Sequence, residues 1–179
     1  MLSEARRERA AAIVLLLASG GVRLHEANAA ELALGRALAG VLDARADGIP
    51  VVAVGVGNLF GGTSVLACAA DRLAMLPGTR IGLSGPKVIE SVHGKWELDA
   101  DEERDVEAVF GAKARSAMGF VDLLADASDA VRGWVYRAAR DRADFATSVG
   151  ATHALLRTRI AGDPTHAAPF DTLACFDGA

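Results

Sequence analysis

"IPVVAVGVGNLFGGTSVLACAAD", residues 49–71, decides the fold. Val51 to Val56 is an unbroken apolar run, the pattern of a strand buried on both faces. Two adjacent glycines, Gly61 and Gly62, follow it. Thr63 to Ala70 then reads as a helix of small residues. A strand that enters a helix through Gly-Gly is one half of a β–α unit. The glycine pair can be a plain turn that lets helix and strand pack closely. It can also leave backbone N–H groups open to a negative charge, with no Cβ in the way.

The same arrangement occurs upstream. Ile13 to Leu17 is another apolar run, expected to be buried on both faces, and Gly20-Gly21 follows it. Glu26 to Ala46 reads as a long helix. Leu32, Leu34, Leu38, Val41 and Leu42 lie on its apolar face, with Glu31, Arg36, Asp43 and Arg45 mostly off it. Gly48 and Pro50 end this helix. Downstream, Arg72 to Leu76 and Arg80 to Leu83 are short strands separated by the Pro77-Gly78 turn. The order β–α–β–α–β–β with short connections predicts an α/β fold with a mainly parallel sheet. Past residue 90 the texture becomes charged. Asp99 or Asp101 is expected to cap a helix running to about Lys113, and Val131 to Arg142 reads as an amphipathic helix. The tail from 148 to 179 is weakly patterned and reads as an arm on a partner or a disordered end.

Bulk properties exclude several classes of function. The chain has 179 residues, which fits one domain with a sizeable core. Apolar residues make up 51% and aromatics only 5%, so the core is built from small aliphatic side chains. A net charge of −4 gives no electrostatic reason to expect nucleic acid or an anionic membrane surface. Cys68 and Cys175 form no metal-spaced pair and no disulfide framework, which suits a reducing cytoplasm. The N-terminal run "IVLLL" is too short to span a bilayer, and Glu4 and Glu8 spoil a signal-peptide flank.

Conventional catalytic groups are scarce. His25, His93, His153 and His166 show no zinc-ligand spacing, so no metal is expected. Ser84 lies in "GLSGPK" without a nucleophile-elbow spacing or a visible base. "GVGNLFGG" has neither the dinucleotide spacing nor a P-loop lysine. What remains is backbone chemistry. Two Gly-Gly junctions at the carboxyl ends of neighbouring parallel strands can aim two N–H groups at one point, which is the geometry of an oxyanion hole. The alternative, two turns, stays open on the residues alone. Cys68 is expected in the core. Trp96 and Trp134 are either interface anchors or core residues.

Taken in order, "LLLASGGVRLHEAN", "FGG" at 60–62, "RIGLSGPKVIE" and "FGAKAR" at 110–115 resemble the crotonase superfamily. Within it they resemble the carboxyltransferase branch that includes the beta subunit of biotin-independent malonate decarboxylase. The resemblance covers about residues 11–125. It implies a crotonase-like ββα superhelix: a single domain over 1–179, with a C-terminal helix and arm over about 126–179. It implies a malonyl thioester, on acyl carrier protein or coenzyme A, whose enolate is held by backbone N–H groups after loss of carbon dioxide. By position, Gly21, Val22, Gly61 and Gly62 would be catalytic. Gly20, Ser84, Gly85, Pro86, Lys87 and Glu90 would contact substrate. No covalent cofactor or metal is implied, only coenzyme A or a CoA-like arm on a carrier protein. The implied partners are a homologous crotonase-fold subunit and the carrier protein, in a homo- or hetero-oligomer. Alternatives on the same fold are a non-catalytic assembly subunit and an acyl-thioester hydrolase or hydratase. The latter needs a positioned carboxylate, for which Glu90 and Glu26 are the candidates. Lys87 departs from the family's "GPEVIE", and the chain begins closer to its first strand than family members do.

Overall fold

A computed structural model describes residues 1–21, 26–140 and 154. The elements run α1 (Leu2–Arg7), β1 (Ile13–Ser19), α2 (Ala27–Ala46), β2 (Val51–Phe60), α3 (Gly62–Cys68), β3 (Arg72–Met75), β4 (Ile81–Gly82), α4 (Pro86–His93), α5 (Glu103–Phe110), α6 (Ala112–Ala117), β5 (Asp122–Leu123) and α7 (Ser128–Arg140). One parallel sheet carries the order β1–β2–β3–β5, with β4 paired to the far end of β2. The expected α/β class and parallel pairing hold.

β2 is the centre of the molecule. Val51, Val52, Ala53 and Val54 are fully buried. Each buried valine contributes roughly 1.5–3 kcal/mol of transfer free energy. The strand runs on to Phe60, beyond the expected end at Val56, because it changes partners on the way. Its first half pairs with β3, and Leu59 and Phe60 pair with Ile81 and Gly82 of β4. The register to β1 slips between Leu17 and Ser19. The glycines of "GVGN" suit this bend: a Cβ on Gly57 would lie 2.9 Å from the Ala18 Cβ.

One face of the sheet packs on α1, α2 and α3 through Ile13, Val41, Ala44, Leu73 and Met75. On the other face, Val52, Val54 and Ala74 meet Trp134 and Ala138 of α7. Here the expectation that β1 is buried on both faces is corrected. Val14 is 43% exposed and Leu16 63%. β1 is the edge strand, and among the described residues α7 covers only its inner neighbours.

Arg45 is a second correction. It lies in the core rather than off the apolar face, while Leu32 and Leu42 are exposed. Arg45 Nε donates to Asp71 Oδ1 at 2.7 Å, and its Nη1 donates to the Ala69 carbonyl at 2.8 Å. Asp71 Oδ2 accepts the Val51 N–H at 2.7 Å. This buried network ties the end of α2 to the start of β2 and the turn into β3.

The helix expected from Asp99 or Asp101 to Lys113 is two helices. α5 begins at Glu103, and Gly111 breaks the run in an extended conformation. Gly111 bridges Arg80, and Ala112 N–H donates to Thr79 O at 2.9 Å, which pulls the chain out of the helix. Trp134 is core, and its Nε1 donates to Asp122 Oδ2 at 2.8 Å, whereas Trp96 is 83% exposed. Cys68 is exposed rather than core. Crowding by its neighbours still pushes its thiol up to about 11, against an opposing pull from Arg115. Among the described residues no helix is long and apolar enough to cross a membrane. Val22, His25, His153, His166, Cys175 and the arm over 148–179 lie outside the described residues, except Ala154.

Candidate active site

Parallel pairing of β1 with β2 brings the two glycine junctions side by side at the carboxyl ends of the strands. A Cβ built on Gly61 would lie 4.0 Å from the Gly21 Cα. Both positions require glycine, with φ of +63° at Gly61 and +113° at Gly21. At Gly62 the matter is close packing: a Cβ would sit 2.5 Å from Leu34 Cδ2, so the tip of the Leu34 side chain would have to turn aside as α2 packs on the start of α3.

A half-open cleft of about 520 Å³ lies over this junction. Gly21, Gly62 and Thr63 form its floor, with Leu34, Phe60, Leu66 and Leu83 as apolar walls. Ser19 and Glu31 supply a hydroxyl and a carboxylate. The backbone donors are not equivalent. Gly61 N–H is spent on the Leu83 carbonyl at 3.1 Å. Gly21 N–H donates to Ser19 Oγ at 3.1 Å, on the exposed side of the loop. Gly62, the first residue of α3, has no carbonyl of its own helix within reach.

The "SGPKVIE" segment lies beside the cleft. Leu83 belongs to the lining; Gly20, Ser84, Gly85, Pro86, Lys87 and Glu90 do not. Gly85 caps α4 and Pro86 occupies its first turn, which suits a residue with no N–H to satisfy. Lys87 Nζ donates to Asp101 Oδ1 and lies 3.7 Å from Glu90. Glu90 Oε2 accepts the Ala100 N–H at 2.7 Å and so holds the 94–101 loop. Lys95 bridges Asp99 and Asp101. This pairing raises the pKa of Lys87 and Lys95 and lowers that of Asp99 and Asp101. Glu90, Asp99 and Asp101 come close enough to hold a cation, but the two lysines already share their charge. Arg80, from the same motif, pairs with Glu103 and with Glu107 at 2.6 Å.

No protein-family model matches the chain. It is 36% identical over 126 residues to malonyl-S-ACP:biotin-protein carboxyltransferase of Malonomonas rubra, covering 69% of this chain and 38% of that protein. A chain of the Pseudomonas malonate decarboxylase hetero-tetramer with malonate superimposes with a TM-score of 0.72 at 34% identity, over 94% of this chain and 63% of that one. A chain of the Pseudomonas MdcD–MdcE hetero-dimer superimposes with a TM-score of 0.69 at 32% identity, over 90% of this chain and 68% of that one. The chain belongs to the crotonase-fold carboxyltransferase and malonate decarboxylase family. It spans well under half the length of its curated carboxyltransferase relative and about two thirds of the two malonate decarboxylase chains.

Within this family fold, the motif residues singled out from sequence are those that shape backbone. The cleft's apolar walls and Glu31 were not singled out as site residues. Leu34 read as a position on the apolar face of its helix, Phe60 as part of the "FGG" stretch, and Glu31 as lying off the apolar face. Only the packing of α2 across the two junctions turns them toward one space.

Proposed function

We propose that the chain is the subunit of a malonyl-thioester decarboxylase or carboxyltransferase that binds the acyl group. The observation that carries this reading is the meeting of the two glycine junctions under an apolar cleft. The thioester carbonyl oxygen would take the Gly62 N–H, with a second donor from the 20–22 loop: Gly21 after release from Ser19, or Val22. Gly61 and Gly20 would set the backbone path of the two loops. As carbon dioxide leaves, charge gathers on that oxygen, and each well-aimed donor lowers the barrier by about 2.7–4 kcal/mol. The acyl group would arrive on coenzyme A or on a CoA-like arm of a carrier protein.

A partner subunit of the same fold is part of the proposal. Leu83, Val88, Val92 and Trp96 are 70%, 53%, 69% and 83% exposed. They form an apolar stripe that runs from the cleft wall along α4, a surface that suits a protein contact more than solvent. The Pseudomonas relatives are hetero-dimers and hetero-tetramers. Domain extent over 1–179 and a cytoplasmic location belong to the same reading.

The test is turnover. The full chain, alone and with the products of adjoining genes, is incubated with malonyl-CoA and malonyl carrier protein, and carbon dioxide release is followed. Release in at least one combination is expected. None in any combination overturns the enzymatic reading and favours the assembly subunit.

A further inference from the structure

Decarboxylation leaves a carbanion that must gain a proton, and among the described residues the cleft offers one carboxylate able to deliver it. Among the described residues that line the cleft, Glu31 alone is titratable; no other described lining residue from β1, α2, β2, α3 or the β4–α4 turn carries a charge. Glu31 projects from α2 within the lining shared with Gly21 and Gly62. Among the described residues its carboxylate has no hydrogen bond or ion pair, unlike those of Glu90, Asp99, Asp101 and Glu107. Glu31 is exposed, so solvent reaches its carboxylate, while the other described lining residues are apolar or neutral. The hydratase-type candidates fare differently: Glu90 is engaged with the 94–101 loop, and neither Glu90 nor Glu26 lines the cleft.

We propose that Glu31 is the proton carrier of this site, delivering a proton to C2 of the enolate formed from a malonyl-type thioester. The inference rests on the malonyl-thioester reading above. A malonyl group brings its own carboxylate into the cleft beside Glu31. Two carboxylates at close range cannot both stay ionised cheaply, so binding draws one proton from water onto the pair. The C2–carboxylate bond then breaks, and its electron pair moves into the enolate held by backbone N–H groups. Carbon dioxide departs. The Glu31 O–H proton passes to C2, the thioester carbonyl re-forms, and Glu31 is left as a carboxylate. Each cycle consumes one solvent proton and converts a malonyl thioester to an acetyl thioester and carbon dioxide.

The experiment compares wild type, Glu31→Gln and Glu31→Asp as full chains, in whichever combination with neighbouring gene products shows turnover of malonyl-CoA. Glu31 is exposed and glutamine is a good helix former, so the fold is retained, checked by circular dichroism. For Glu31→Gln, kcat falls about 10²-fold, in line with loss of a general acid. KM falls as well, because binding no longer has to draw a proton from water. The wild-type decline of kcat with rising pH flattens in Glu31→Gln, and Glu31→Asp keeps part of the rate and the pH dependence. Wild-type turnover with an unchanged kcat in Glu31→Gln overturns the role of Glu31 and leaves the decarboxylase reading standing. So does a fall in kcat accompanied by a rise in KM. Absence of wild-type turnover in every combination overturns both.

Discussion

Two neighbouring regions handle polarity in opposite ways. In the α4–α5 region several charges find partners: Lys87 with Asp101, Lys95 with Asp99, and Arg80 with Glu103 and Glu107. In the glycine cleft the walls are apolar, donors are backbone N–H groups, and among the described residues one carboxylate, that of Glu31, stands without a partner. Charge density is therefore a poor guide to the site here. Exposed pairs in water contribute little and do little. A fixed N–H in an apolar cleft does more, because it cannot reorient away from a developing negative charge.

The comparison breaks first if the Gly62 donor is dispensable. In a Leu34→Ala background, which relieves the clash at 2.5 Å, Gly62→Ala and Gly62→Pro fill similar space but only alanine keeps the N–H. The proline variant should turn over malonyl-CoA about 10²-fold more slowly than the alanine variant. Equal kcat values would move the oxyanion contact elsewhere.

Buried and exposed ion pairs should separate by a smaller but clear margin. The Arg45 and Asp71 side chains are 3% and 5% exposed. Asp71→Ala removes the buried guanidinium's carboxylate partner and should cost about 3–5 kcal/mol in urea unfolding. A cost below about 1 kcal/mol would show that water reaches the pair. Gly61→Ala tests backbone rather than charge. Forcing a Cβ at φ +63° should cost about 1–3 kcal/mol and lower kcat through the displaced junction.

The smallest effect belongs to the α4–α5 charges. Lys87→Glu, which restores the family's acid, should change kcat by less than about threefold, consistent with an exposed side chain. The stabilising share of these pairs has a pH window of defined sign. Asp99 and Asp101 have folded pKa values below ordinary, so their share is complete above about pH 4 and is lost as pH falls through the lowered values. Lys87 and Lys95 have raised values, so theirs is complete below about pH 10 and is lost as pH rises further. A thermal-melting profile of Asp101→Asn against wild type should converge only at those extremes. A constant offset down to pH 2 would contradict the pairing.

The α/β order was readable along the chain because it rests on local signals. Val51 to Val54 cannot be anything but interior, and Gly48-Pro50 and Pro77-Gly78 punctuate the strands around them. The glycines at 21, 61 and 62 were likewise readable, since positive φ and a closed approach leave few other residues. Relations between elements were not. Whether β1 is central or at the edge depends on what packs beside it, so Leu16 read as buried although its side chain is largely open. Arg45 read as a surface charge because nothing within its helix reveals Asp71, which lies 26 residues on.

Sequence alone thus determined which peptide units bend where a side chain would not fit, and that follows from sterics within a few residues. Tertiary structure decided which N–H groups remain free. Gly61 gives its own to Leu83, and Gly62 keeps its own, because β4 pairs with the end of β2 and lays the Leu83 carbonyl against the first of them. It also decided which carboxylates are partnered, since Glu90 meets Ala100 and Glu31 faces the cleft only once the helices are packed. Steric constraint is local, whereas hydrogen-bond and charge satisfaction is a property of the whole fold.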